Sequence, residues 1–157
     1  ELAQKESKIE TAVLRLHNVY GPRCDTRPET SQVIPALCKK AIDYPQQDFI
    51  VWGSGTQKRA FLYVDDVVDA ITLAIESAIG KGVIQIGPPR SHSISDIASR
   101  IVKLSAKDIE IKYDVSKPEG DKDRSADCAK ANVILGWQQR VSLDEGLKKT
   151  YQWLVEN

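Results

Sequence analysis

Three observations predict an α/β fold. Short β-favouring apolar runs alternate with amphipathic helical segments along all 157 residues, the order expected of a sheet with parallel strands. Apolar residues make up 41% of the chain and are rich in Leu, Ile and Val, enough to bury a core. No linker, repeat or low-complexity tract interrupts the alternation, so residues 1–157 read as one compact unit.

In order, residues 1–8 are polar and helix-favouring and read as the last turns of a helix. Residues 11–16 are a short apolar run of the kind found in a buried parallel strand. It ends in His17-Asn-Val-Tyr-Gly-Pro22, read as a loop on its Gly-Pro punctuation. Ligands of open α/β sheets sit beyond the carboxyl ends of strands, which places Asn18 and Tyr20 for contacts. The pattern leaves a second reading of Asn18 open, that it only satisfies loop backbone. A polar loop over residues 23–30 leads to a helix over 31–42, with Val33, Ile34, Leu37, Cys38 and Ala41 on one face. Residues 44–48 are a turn-rich connector.

The next stretch, Trp52-Gly-Ser-Gly-Thr-Gln-Lys-Arg-Ala-Phe-Leu-Tyr-Val-Asp-Asp66, organises the chain. Residues 49–52 and 60–64 favour strands, and Gly53 and Gly55 permit a tight turn between them. Arg59 then stands at a strand edge, where a guanidinium can meet an anion. By pattern alone such a stretch is more often a hairpin turn with a solvated arginine. Asp65 and Asp66 fall where a helix start favours carboxylates.

Residues 67–79 place Val67, Val68, Ile71, Ala74, Ile75, Ala78 and Ile79 at helical spacing, with Asp66, Asp69, Thr72 and Glu76 opposite. Gly80-Lys-Gly82 ends that helix, and residues 83–86 are a strand closed by Gly87-Pro-Pro89. Ser93 to Asp96 forms a capping box for a helix reaching about Leu104, and Ser142 to Glu145 caps a terminal one. Between them lie an alternating strand over 109–113, a charged loop over 116–127, and a short helix over 129–135 that stops at Gly136.

The composition excludes several classes. Lys plus Arg equals Asp plus Glu at 22 each, and no basic run offers a footprint for nucleic acid. The apolar runs are too short to cross a bilayer and no signal peptide is visible. Cys24, Cys38 and Cys128 are odd in number and widely spaced, so no disulfide framework or zinc spacing is expected. Reduced thiols suit a cytoplasmic protein. With His17 and His92 as the only histidines, no metal site is expected. Methionine is absent throughout, so the chain reads as a piece of a longer protein. No dinucleotide glycine motif, phosphate loop or nucleophile elbow is present. Asp65-Asp66 and Asp121-Lys-Asp123 read as a helix start and a solvated loop rather than acid/base pairs.

Several pieces nevertheless occur together and in one order. Leu14-Arg-Leu-His-Asn-Val-Tyr-Gly-Pro22, the 52–66 stretch, Gln85-Ile-Gly87, Arg124-x-x-Asp127 and Leu135-Gly-Trp137 resemble the C-terminal half of the extended short-chain dehydrogenase/reductases. These are the NAD-dependent sugar-nucleotide epimerases and dehydratases. Residues 17–22 and Pro118-Glu-Gly-x-x-x-Arg124 look most like the GDP-mannose 3,5-epimerase branch.

The resemblance implies the last parallel strands of an extended Rossmann fold plus a small α/β substrate-binding domain. The glycine-rich NAD loop and the Tyr-x-x-x-Lys pair would lie upstream, so no catalytic residue is expected in this chain, which would be inactive alone. Leu16 and His17 would lie beside the nicotinamide of NAD. Asn18 would bind the nucleotide sugar, a GDP-, UDP- or dTDP-hexose. Ile50, Val51 and Trp52 would line the base pocket, and Arg59 and Arg124 would clamp the diphosphate. Gln32 and Val33 stand where the 3,5-epimerase branch carries a substrate-holding Glu-Lys pair, a departure that bears on substrate. The parent is expected to be a homodimer that transiently oxidises, epimerises and re-reduces a sugar. A 4,6-dehydratase, a 4-reductase or a non-catalytic binding member are the alternatives.

Overall fold

The computed structural model describes residues 9–125 and 127–157. The helix expected over residues 1–8 lies outside them.

The chain opens with two strands, β1 (Val13–Leu16) and β2 (Asn18–Tyr20). β1 pairs in parallel with β6 (Val83–Ile86), Val13 opposite Val83 and Leu16 opposite Ile86. β2 pairs in parallel with β5 (Phe61–Tyr63). The expected loop after Leu16 is therefore a second strand. Val19 and Tyr20 favour extended backbone, and β5 supplies hydrogen-bond partners that a local reading of Gly21-Pro22 does not reveal. Nor is β1 buried on both sides. Val13 and Leu16 are exposed, and β6 is the one strand paired to β1 among the described residues.

Helix α1 (Val33–Asp43) matches its predicted window and buries Ile34, Pro35, Leu37, Cys38 and Ala41. It packs on α3 (Ile94–Ser105) and α5 (Leu143–Glu156). Ser93 Oγ caps α3 by accepting from the Asp96 N–H at 3.1 Å, and Ser142 caps α5 through the Glu145 N–H at 3.3 Å. These three helices enclose one apolar core with Phe49, Val51, Tyr20, Phe61 and Tyr63. Each fully buried Ile or Leu there contributes about 1.5–3 kcal/mol. Strand β3 (Ile50–Trp52) joins it and pairs in parallel with β8 (Lys112–Asp114).

A second core lies between helix α2 (Val64–Ser77), β6, the middle of β5 and α4 (Ala129–Leu135). Here the expected apolar face of α2 is only half right. Val67, Ala70 and Ala74 turn inward, whereas Val68, Ile71, Ile75 and Ile79 are exposed. The small alanines let α2 pack closely on β5 and α4, so they rather than the isoleucines take the inner face.

Asp66 also departs from expectation. It lies in the first turn of α2, yet the N-cap is Tyr63, without a side-chain capping bond. The Asp66 carboxylate is buried and accepts from the backbone N–H groups of Arg140 and Val141 at 2.9 and 3.2 Å. Its own carbonyl accepts from the Trp137 indole at 2.9 Å. One residue therefore ties α2 to the segment leading into α5.

Candidate functional site

Gly53 and Gly55 both have φ of 76°, in the left-handed region that favours glycine. No hairpin results, because β3 pairs with β8 while the strand after the turn belongs to another sheet. That strand, β4 (Lys58–Arg59), runs antiparallel to β7 (His92–Ser93) and parallel to β9 (Asp123–Arg124). The expected 116–127 loop thus contains a two-residue strand, held by Lys58 N–H to the Lys122 carbonyl and Ala60 N–H to the Arg124 carbonyl, at 2.8 and 2.9 Å.

This register brings the two candidate arginines together. Arg59 faces Arg124 across β4 and β9 and His92 across β4 and β7, and directly opposed residues share a face of a sheet. Sixty-odd residues of sequence separation become neighbouring strands about 4.8 Å apart.

The Arg59 guanidinium is partly spent. Nη1 donates to the carbonyls of Lys58 and Asp121 at 2.7 and 2.5 Å, and Nη2 to the Glu119 carbonyl at 3.2 Å. The Nε–H and the second Nη2 N–H have no acceptor among the described residues. Those two donors form the fork through which Arg27 grips Asp25 elsewhere in this chain. Arg124 is exposed, its Nε 3.4 Å from an Asp121 carboxylate oxygen. Such a solvated pair contributes little stability and is readily exchanged.

The other candidates divide. Trp52 is 54% exposed, its ring 5.6 Å below Lys117 Nζ. Val51 is 1% exposed and lies in the first core, because alternate residues of a strand face opposite ways. Its side chain cannot line a base pocket. Ile50 is half-buried, and Lys40 takes its carbonyl at 2.5 Å. Asn18 Nδ2 donates to the Ala60 carbonyl at 3.0 Å, so its amide fastens the start of β5. Leu16 and His17 lie at the carboxyl end of β1. His17 contacts Gln85 at 3.3 Å and packs against Gly87, where a Cβ would come within 2.9 Å of His17 Cβ. Gln32 lines a separate cavity of about 240 Å³ with Gly21, Pro22, Cys24, Asp25 and Val64. Tyr20, placed for ligand contacts by its position after the strand, is buried. Its ring meets Phe61 and Tyr63 edge-on, and burial pushes its phenol well above the ordinary value.

Two residues of the site were missed in the sequence. Gln57 is buried beneath the glycine turn. Its amide nitrogen donates to the Trp52 carbonyl at 3.2 Å while its Oε1 has no partner among the described residues. Glu119 accepts from the Ser54 N–H at 2.5 Å, which holds its carboxyl below the ordinary glutamate value. Both lie inside motifs quoted from the sequence, but the contacts that give them a role run across a turn or between strands and do not show in residue order.

Parallel strand pairs flanked by helices place this chain in the α/β class, whose ligands bind beyond the carboxyl ends of the strands. The NAD dependent epimerase/dehydratase family model matches residues 1–87, and the chain belongs to that family. It is 36% identical over 152 residues to GDP-L-fucose synthase of Escherichia coli K12, covering 89% of this chain and 47% of that one. It is 34% identical to UDP-glucuronic acid decarboxylase 1 of Danio rerio, covering 95% and 34%. Among solved structures, UDP-glucose 4-epimerase of Thermotoga maritima with UDP-glucose superposes with a TM-score of 0.90 at 31% identity, over 99% of this chain and 49% of that one. UDP-glucuronic acid 4-epimerase of Bacillus cereus, with UDP-glucuronic acid and NAD, gives 0.85 at 33%, over 99% and 48%. The chain spans less than half the length of these relatives. No helix of the described residues is long and apolar enough to cross a membrane.

Proposed function

We propose that this chain is the nucleotide-sugar-binding half of an NAD-dependent sugar-nucleotide epimerase that transiently oxidises, epimerises and re-reduces its substrate. The observation that carries the reading is the register of Arg59 with Arg124, with the Arg59 fork left open. Two guanidinium groups on one sheet face supply the charge and the forked donors that a diphosphate takes. Trp52 offers an exposed aromatic face for the base, and Asn18 keeps its amide oxygen for the sugar side. Binding energy from the diphosphate, remote from the reacting carbon, holds the sugar in position.

NAD, when bound, supplies reversible hydride transfer at a sugar carbon. Leu16, 41% exposed, and His17 fit a nicotinamide-facing role at the end of β1, while the glycine-rich loop for the rest of the dinucleotide would lie outside this chain. The Tyr-x-x-x-Lys pair would lie there too, so the chain alone is inactive. Free thiols at Cys24 and Cys38 suit a reducing cytoplasm, and a homodimeric parent fits the same reading.

A second reading keeps the same site in a 4,6-dehydratase or 4-reductase, since the relatives' names already span more than one reaction: synthase, decarboxylase and 4-epimerase. The base and sugar follow the same division, with both GDP- and UDP-sugar proteins among the relatives.

The test is titration of UDP and GDP into the full-length protein carrying this chain, with Arg59→Ala and Arg124→Ala beside wild type. Each loss of a charge-assisted contact should weaken binding roughly 10- to 100-fold. Unchanged affinity in both variants would remove the clamp.

A further inference from the structure

The segment between β8 and β9 meets the candidate site at three points. Lys117 lies over the Trp52 ring. The backbone carbonyls of Glu119 and Asp121 accept from Arg59. The Glu119 carboxylate reaches in the other direction, to the Ser54 N–H at 2.5 Å. The packing is close on both sides. A Cβ on Gly53 would collide with the Glu119 side chain, and one on Gly120 would lie 3.1 Å from Arg59 Nη2. Gly53 and Gly120 also have φ of 76° and 68°, so neither position accepts a side chain without strain.

We propose that Glu119 is a positioning residue for nucleotide binding: its carboxylate latches residues 115–122 onto the glycine turn, and the latched carbonyls aim the open Arg59 fork at the diphosphate. The inference rests on the reading of this site as a nucleotide-diphosphate site. A carboxylate on a backbone N–H is a charge-assisted bond. Anchored at Ser54, it keeps the 119 and 121 carbonyls where Nη1 and Nη2 find them. An arginine so held loses little side-chain freedom when a ligand arrives, whereas an unheld one must be ordered during binding. Glu119 itself never touches the ligand.

The test is a double-mutant cycle on the full-length protein, with UDP and GDP as probes in isothermal titration calorimetry. Glu119→Ala should weaken the better-bound nucleotide by about tenfold, and Glu119→Gln, which keeps an acceptor oxygen, by about threefold. In an Arg59→Ala background the Glu119→Ala effect should shrink below about twofold, because two residues acting through one contact are not additive. A purely structural role would instead give additive losses, and that outcome overturns the proposal. So does wild-type affinity in Glu119→Ala with the nucleotide site otherwise intact. Wild type that binds neither nucleotide removes the site reading and the latch with it. If alanine unfolds the loop, Glu119→Gln alone and with Arg59→Ala carries the same comparison.

Discussion

The two apolar cores are built from similar residues and covered differently. Around α1, α3 and α5 the large aliphatic side chains face one another, and Ile34, Ile97, Ile101 and Leu147 are all buried. Around α2, β1 and β6 the inner contacts are largely alanine and isoleucine, and a second row of large apolar residues faces outward. Ile75 is 70% exposed, with Val68, Ile71, Ile79, Val13, Leu16 and Val83 in the same condition. Hydrophobicity in one region is stability within this chain. In the other, the outward-facing part of it is not buried within the described fold and adds little to its stability. The same Ile is therefore worth different amounts on α3 and on α2.

Substitutions can break this comparison. Ile97→Ala, at the centre of the three-helix core, should destabilise by about 3 kcal/mol through lost burial and a residual cavity. Chemical denaturation measures it, and a loss under about 1 kcal/mol would mean that this core is loosely packed.

Asp66→Ala comes next, at about 2 kcal/mol, because it leaves the part-buried Arg140 and Val141 N–H groups without their acceptor at the tie between the two regions. Its pH dependence sharpens the point. Burial raises the Asp66 carboxyl above its ordinary value, against the opposing pull of the Arg140 and Val141 N–H groups. The folded state then holds a proton at pH values where the unfolded chain has released it. The associated stability is full below the unfolded value and is lost as pH rises through the folded one. The stability of wild type relative to Asp66→Asn should thus be greater near pH 4 than near pH 7. A pH-independent difference in melting temperature would contradict the raised value.

Ile75→Lys should be the smallest, within about 0.5 kcal/mol of wild type, since an exposed side chain has little burial to lose. A loss comparable to that of Ile97→Ala would show that the α2 stripe is covered in solution.

Much of this architecture was legible in residue order. Helix windows, both capping boxes and the strands at 83–86 and 50–52 follow from periodicity and turn chemistry that operate within a few residues. The arginines of the site were legible too, though through the resemblance of whole motifs rather than through any local pattern. The misses share one cause. Asn18 to Tyr20 became a strand because β5 lies beside it, Val51 turned inward because the helices cover that face, and Arg124 joined a sheet because β4 offered a partner.

By itself the sequence determined the alternation of elements, their caps and the family they belong to, because those depend on spacing and on side chains that act on their own backbone. Only the tertiary structure decided which apolar face of α2 is buried, that Asp66 serves a distant loop, and that Glu119 and Arg59 hold one another. Those outcomes depend on groups 60 or more residues apart competing for the same space and the same hydrogen bonds, and no window along the chain contains both partners.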